Sequence, residues 1–139
     1  MAGYSETPLL KKLGMKEGFR VHFANPPANF SKLLGKLPPD VTVVARLAAP
    51  FDLIILFVVA EHELEKRFRV LADKLKANGM IWVAWPKKSS GLATDLSFDT
   101  VQKNGLNVGL VDVKICAIDE TWSGLKFVYR LEDRSRRIP

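Results

Sequence analysis

Two runs of this chain, residues 53–59 and 80–85, contain no polar residue at all, and one amphipathic stretch separates them. Successive side chains of a strand point to opposite faces, so a strand made only of Leu, Ile, Phe, Val, Met, Trp and Ala has to be covered on both sides. The intervening stretch, 61–78, reads as a helix. Leu64, Phe68, Leu71 and Leu75 fall on one face, Glu61, Glu63 and Glu65 load its start, and Lys74 and Lys76 load its end. Asn78-Gly79 supplies a left-handed stop. A helix of that length can carry the chain across a sheet, which predicts 53–59 and 80–85 as adjacent, central, parallel strands.

The rest of the chain fits around that unit. Thr7-Pro8 followed by Leu9, Leu10 and Leu13, with Gly14 as a stop, predicts a short first helix. Residues 19–25 alternate, Phe19, Val21 and Phe23 against Arg20 and His22, as a half-covered strand does. A short helix is expected over 30–37 and a β-branched strand over 41–47. A further helix over 97–104 would be capped by Thr94, Asp95 or Ser97, and strands over 110–119 and 125–131 close the pattern as a hairpin-like pair. Right-handed crossovers then place helices on both faces of the sheet. The fold expected is a single-domain α/β architecture spanning residues 1–132. It has a mostly parallel sheet and a C-terminal antiparallel strand, and a basic, frayed tail follows at 133–139.

With 139 residues, 47% of them hydrophobic, the chain suffices for one well-buried core. No apolar run reaches membrane-spanning length, since even 51–60 contains Asp52. The start, Met1-Ala2-Gly3-Tyr4-Ser5-Glu6, lacks the basic and apolar regions of a secretory signal. Cys116 is the sole cysteine, which rules out an internal disulfide and cysteine zinc clusters. These features together predict a cytoplasmic protein without a metal centre. The formal charge of +6 draws on Lys11, Lys12 and Lys16 near the start and Arg134, Arg136 and Arg137 near the end. Such a balance either steers the chain toward phosphates or nucleic acid, or reflects a solvated surface. No aromatic-basic stripe favours nucleic acid.

The segment from Trp82 to Asp95 concentrates the candidate chemistry. A buried strand runs into Pro86, then opens into Lys87, Lys88, Ser89, Ser90 and Gly91. In open α/β sheets, ligands collect at such strand ends. Parallel strands end on one edge, so Asn25, the Lys87–Ser90 loop and Asp119, Glu120, Trp122 and Ser123 are expected to converge there. The lysines and serines suit an anion, or form a solvated crossover. Asp119-Glu120 is an acid–base or ligand pair, or the start of a turn. Trp122 either stacks on a ligand or covers the sheet edge beside Trp85. His22 and His62 read as surface groups, and Cys116 as an inert core thiol.

The run Phe51-Asp52-Leu53-Ile54-Ile55-Leu56-Phe57, the helix, and Leu75-Lys76-Ala77-Asn78-Gly79-Met80-Ile81-Trp82-Val83 together resemble the second half of the Rossmann-like fold of S-adenosylmethionine-dependent methyltransferases. That resemblance implies a scaffold ending in a parallel and an antiparallel strand. The family's cofactor motifs have no counterpart here. Asn25-Pro26-Pro27-Ala28-Asn29 stands where a Gly-x-Gly turn would, and Val44-Ala45-Arg46-Leu47 carries a cation where an acid would bind the ribose. Asn25-Pro26-Pro27 is similar to the Asn-Pro-Pro-aromatic motif of amino-group DNA methyltransferases, with Ala28 in the aromatic position. Tyr4-Ser5-Glu6-Thr7-Pro8-Leu9, Trp85-Pro86-Lys87-Lys88 and Asp119-Glu120-Thr121-Trp122-Ser123-Gly124 resemble an uncharacterised bacterial family of small proteins. That likeness implies a bacterial source and no particular activity.

These readings favour a non-catalytic or regulatory domain that binds an anionic small molecule at the carboxyl edge of the sheet, without conventional S-adenosylmethionine binding. An enzyme using Lys87 or Lys88 as a clamp and Asp119 or Glu120 as acid or base is one alternative. A basic module for nucleic acid or an acidic protein is another.

Overall fold

The computed structural model describes residues 8–135. Its strands are β1 (Arg20–Ala24), β2 (Thr42–Val43), β3 (Phe51–Phe57), β4 (Leu75–Pro86), β5 (Leu110–Ala117) and β6 (Trp122–Tyr129). They form one sheet in the order β2-β1-β3-β4-β6-β5. The first four strands run parallel, and β6 is antiparallel to both β4 and β5. The chain goes from β1 outward to β2, then returns to place β3 on the other side of β1. The crevice between the carboxyl ends of β1 and β3 is therefore the topological switch point. This is the α/β architecture that the two apolar runs require, with β3 and β4 adjacent and central.

Helices α1 (Leu9–Leu13) and α2 (Phe30–Leu34) cover one face, and α3 (Glu61–Ala72) and α4 (Phe98–Asn107) the other. The two-sided apolarity of β3 resolves into two cores. Leu53, Ile55 and Phe57 pack with Leu13, Phe30 and Trp82, whereas Ile54 and Leu56 pack with Leu64, Phe68 and Phe127. Buried polar groups find partners, as burial demands. The indole of Trp82, 0% exposed, donates to the carbonyl of Leu13 at 2.9 Å and ties α1 to the central strand. The Tyr129 hydroxyl donates to the carbonyl of Ala72 at 2.7 Å, at the last turn of α3.

Several expectations are corrected. Helix α3 ends at Ala72 rather than continuing to 78, because Leu75 pairs with Phe51 as the first residue of β4. A register shift follows within β4, so that Met80 is the next residue paired, opposite Leu53. Gly79 is not a left-handed stop. It lies where an added Cβ would meet the Phe51 carbonyl oxygen at 2.9 Å. His22 is buried, not a surface group: its Nδ1 lies 2.8 Å from the Val44 carbonyl oxygen and its ring 5.5 Å from that of Phe51. β1 is thus covered on both faces. β2 shrinks to two residues, and β6 begins at Trp122 rather than 125, held by pairing with β4. Cys116 is half-buried on the edge strand β5, not a core thiol. A short helix, α5 (Leu131–Arg134), takes in the first residues of the expected tail. Thr7, Arg136 and Arg137 lie outside the described residues.

The edge strand β5 has one irregularity. Its register with β6 shifts between Asp112 and Lys114, leaving Val113 as an extra residue. Such a bulge interrupts the hydrogen-bonding row that an edge strand would otherwise present.

Gly105 sits in α4 against the ring of Phe127, which is itself in edge-to-face contact with Phe68 at 5.2 Å. A methyl group there would overlap the Phe127 ring. Alanine at an ordinary helix position gains about 1 kcal/mol over glycine, but overpacking a filled core costs about 1–3 kcal/mol. Gly105→Ala is expected to destabilise the protein by about 1–2 kcal/mol in urea unfolding. A stabilised variant would show that this helix–sheet contact is looser than described.

Candidate functional site

The carboxyl edge divides into a switch-point half, at the ends of β1 and β3, and an open half. Asn25 follows β1 with φ 56°, a left-handed conformation that Asn tolerates, and its side-chain amide donates to Glu63 Oε1 at 3.2 Å. Pro26 and Pro27 contribute no N–H. Behind them runs a file of edge-to-face rings: Phe23 to Phe30 at 5.1 Å, Phe30 to Phe57 at 4.9 Å and Phe57 to Trp122 at 5.1 Å. These rings pack in a row near the ends of β1, β3 and β6. Trp122 is accounted for by this packing and does not line the open half. At the end of β2 the Val44 carbonyl is taken by His22, and Arg46 is exposed.

The open half lies over the ends of β4 and β6. Antiparallel pairing sets Pro86 opposite Trp122 and Trp85 opposite Ser123, and the Lys87 N–H donates to the Thr121 carbonyl at 2.8 Å. The Lys87–Ser90 loop and the 119–123 turn are thus neighbours, as two strands ending on one side require. A cleft of about 380 Å³ opens there, lined by Lys87, Lys88 and Ser123 together with Trp85, Pro86, Leu96, Ser97, Phe98 and Asp99.

The remaining candidates have local structural duties. Lys88–Ser90 makes a single 3₁₀ turn, and the Ser90 hydroxyl donates to the Lys87 carbonyl at 2.7 Å while accepting the Leu92 N–H at 3.2 Å. Ser89 is exposed beside it and is not in the cleft wall. The Asp119 carboxylate accepts the backbone N–H groups of Thr121 and Trp122, both at 2.8 Å. This is the turn-forming role of Asp. Neither Asp119 nor the exposed Glu120 lines the cleft, and Asn25 lies in the switch-point half.

The cleft's far wall was not among the residues singled out. After Gly91 the chain doubles back and brings the first turn of α4 over the end of β4. Ser97 is the N-cap, its hydroxyl oxygen accepting the Thr100 N–H at 3.4 Å, and Asp99 lies in the first turn. The signal was present, because Ser97 was one of three candidate caps. What sequence could not show is that the other two reach back to the entry of a different helix. The Thr94 hydroxyl donates to the Val59 carbonyl, ahead of α3, at 2.6 Å and accepts the Leu96 N–H at 3.1 Å, whereas Asp95 Oδ1 accepts the Glu61 N–H at 2.8 Å, capping α3 from 34 residues away. The buried Asn104 amide adds bonds to Glu61 Oε2 and to the Thr100 carbonyl. The loop that forms the cleft is therefore fastened to the start of α3.

The fold is that of Rossmann-like methyltransferases. The chain is similar to precorrin-6y C5,15-methyltransferase from Geobacter metallireducens, with TM-score 0.62 and 11% identity over 88% of this chain and 86% of that one. It is also similar to an S-adenosylmethionine-dependent methyltransferase from Aquifex aeolicus, with TM-score 0.61 and 16% identity over 86% of each chain. Magnesium protoporphyrin IX methyltransferase from Synechocystis PCC 6803, solved with bound S-adenosylmethionine, matches with TM-score 0.59 and 12% identity over 88% of this chain and 74% of that one. No protein-family model and no curated protein matches the sequence. No helix among the described residues is long and apolar enough to cross a membrane, and no group of three or more His, Cys, Asp or Glu there could hold a metal ion.

Removing a helix N-cap side chain costs about 0.5–2 kcal/mol. Asp95→Ala should therefore lower unfolding stability by about 1 kcal/mol, while Asp99→Ala changes it by less than about 0.5 kcal/mol, as surface substitutions usually do. Equal effects of the two in urea titrations would contradict the assignment of Asp95 as the cap of α3.

Proposed function

We propose that this chain is a non-catalytic ligand-binding domain whose site is the cleft over β4, and that its ligand is a small anionic molecule. One observation carries the reading: two lysines from one loop, a helix first turn from another and the Trp85 ring converge on a single cleft. Lys87 and Lys88 supply ammonium groups to an anionic group. Asp99, on the far wall, suits a ligand that also carries an amine or hydroxyl donor. Trp85, only 6% exposed, offers an apolar wall. The size fits one small molecule.

Two observations support a non-catalytic role. The Asp119 carboxylate is committed to its own turn, so the expected acid–base pair is not directed at the cleft. The residues at the switch point favour another ligand than S-adenosylmethionine in this reading: the rings of Phe30, Phe57 and Trp122 pack nearby, Asn25 bonds Glu63, and the two prolines offer no backbone donors. Arg46 brings positive charge where a ribose would need an acceptor. In this reading the chain keeps the sheet of its structural neighbours and binds on the adjacent half of the edge. The signature segments are consistent with a bacterial protein acting in the cytoplasm.

The test is a panel of phosphates, carboxylates, nucleotides and S-adenosyl compounds, read by tryptophan fluorescence and thermal shift. A saturable response from an anionic compound is expected, abolished in Lys87→Ala/Lys88→Ala with the melting temperature nearly unchanged. S-adenosylmethionine is expected to give no saturable heat at micromolar concentration. A one-to-one S-adenosylmethionine isotherm, or a response that survives the double substitution, overturns the reading.

A further inference from the structure

Away from the cleft, the face of the sheet covered by α1 carries a concentration of positive charge. Strand pairing sets Lys126 directly opposite Trp82 on one side and opposite Lys114 on the other. Directly opposed residues have Cβ atoms about 5 Å apart, and like charges in that position are destabilising. The Trp82 indole bond to the Leu13 carbonyl brings α1 over this spot. The Lys114 ammonium then reaches the Lys12 carbonyl oxygen at 2.9 Å. Lys16 follows α1 and approaches from the same side. Burial first, then Lys114 and Lys16, push the pKa of Lys126 down. The neighbouring Cys116 thiol is pushed up by burial, with Lys12 and Lys114 pulling against it. Four lysines from a helix, a loop and two strands thus share one patch. Among the described residues the ion pair within 4.0 Å joins Lys76 to Asp52 at 3.1 Å, and it involves none of the four.

A methionine at 126 would cover Trp82 with a comparable stem and no repulsion. Strand pairing and the bond from Lys114 to the Lys12 carbonyl gather these lysines in one place. A nucleic-acid track would instead string its charges along a groove with aromatic platforms between them. Lysine ammoniums act as point charges with rotatable donors, which suits oxygens presented in many directions.

We propose that Lys12, Lys16, Lys114 and Lys126 form a second binding site, for a compact and multiply charged phosphate group, either free polyphosphate or the polyphosphate of a nucleotide. It is independent of the cleft over β4. Binding relieves the mutual repulsion of the four lysines, so the occupied protein is the more stable one.

The probe is inorganic tripolyphosphate, compared with sulfate at matched ionic strength, with melting temperature and titration calorimetry as readouts. Wild-type protein is expected to gain several degrees saturably with tripolyphosphate and not with sulfate. Lys114→Gln/Lys126→Met should weaken tripolyphosphate by about tenfold or more and should melt no lower than wild type without it. Lys87→Ala/Lys88→Ala should keep a saturable tripolyphosphate site that Lys114→Gln/Lys126→Met removes, which separates this site from the cleft. The exposed Lys114→Gln alone carries the same test should the double variant fail to fold. A nucleoside triphosphate binding more tightly than tripolyphosphate identifies the nucleotide as the source, and equal affinity the free polyphosphate. The proposal is overturned if wild type shows no saturable response, if the lysine variants bind unchanged, if the response is lost only in the cleft variant, or if a single-stranded oligonucleotide outcompetes tripolyphosphate.

Discussion

Parallel pairing of β3 with β4 governs the rest of this structure. Both strands are apolar on both faces, so neither can lie at an edge, and each face must be roofed by a helix. Right-handed crossovers then leave no choice of side. The step from β3 to β4 puts α3 on one face, and the oppositely directed step from β1 to β2 puts α2 on the other. The switch point between β1 and β3 follows from that reversal, and so does the alignment of every parallel strand end on one edge. The Trp82 indole bond to Leu13 adds the last cover, closing α1 over the strand that carries the most buried tryptophan.

The switch point is where sheets of this class ordinarily receive ligands. Near it the rings of Phe30 and Phe57 pack edge to face, with Trp122 against the second of them. The cleft lined by Lys87 and Lys88 lies two strands over, at the junction of the parallel strand β4 with the antiparallel β6. That junction brings loops of opposite chain direction together, which is why Lys87 and Ser123, 36 residues apart in sequence, border one cleft.

The central strands, the order of elements and the meeting of the Lys87–Ser90 loop with the 119–123 turn were all legible in the residues. They depend on two-sided apolarity and on parallel strands sharing an edge, both of which are local patterns or simple topology. The end of α3 was not legible, because Leu75 continues the helical spacing of Leu71 but is claimed by Phe51 of a neighbouring strand. His22 was misread for a related reason. Alternation along β1 showed that it faces away from Val21, but not that Phe51 and the Val44 carbonyl close over it. Within the site, Lys87, Lys88 and Ser123 announced themselves by following a buried strand. Ser97 and Asp99 did not, because their place depends on a loop folding back through contacts made 34 residues away.

That same fold-back has a bearing on how the chain is made. Helix α3 emerges from synthesis with its first backbone N–H groups met by water, since the residue that caps Glu61 is Asp95, beyond the whole of β4. Until residue 95 is available, the β3–α3–β4 unit has its hydrophobic stripe but lacks the polar closure at the head of its helix. Consolidation of the central unit is therefore tied to a segment outside it. The fastening of the cleft loop and the capping of Glu61 rest on the same residue, so neither is complete without the other.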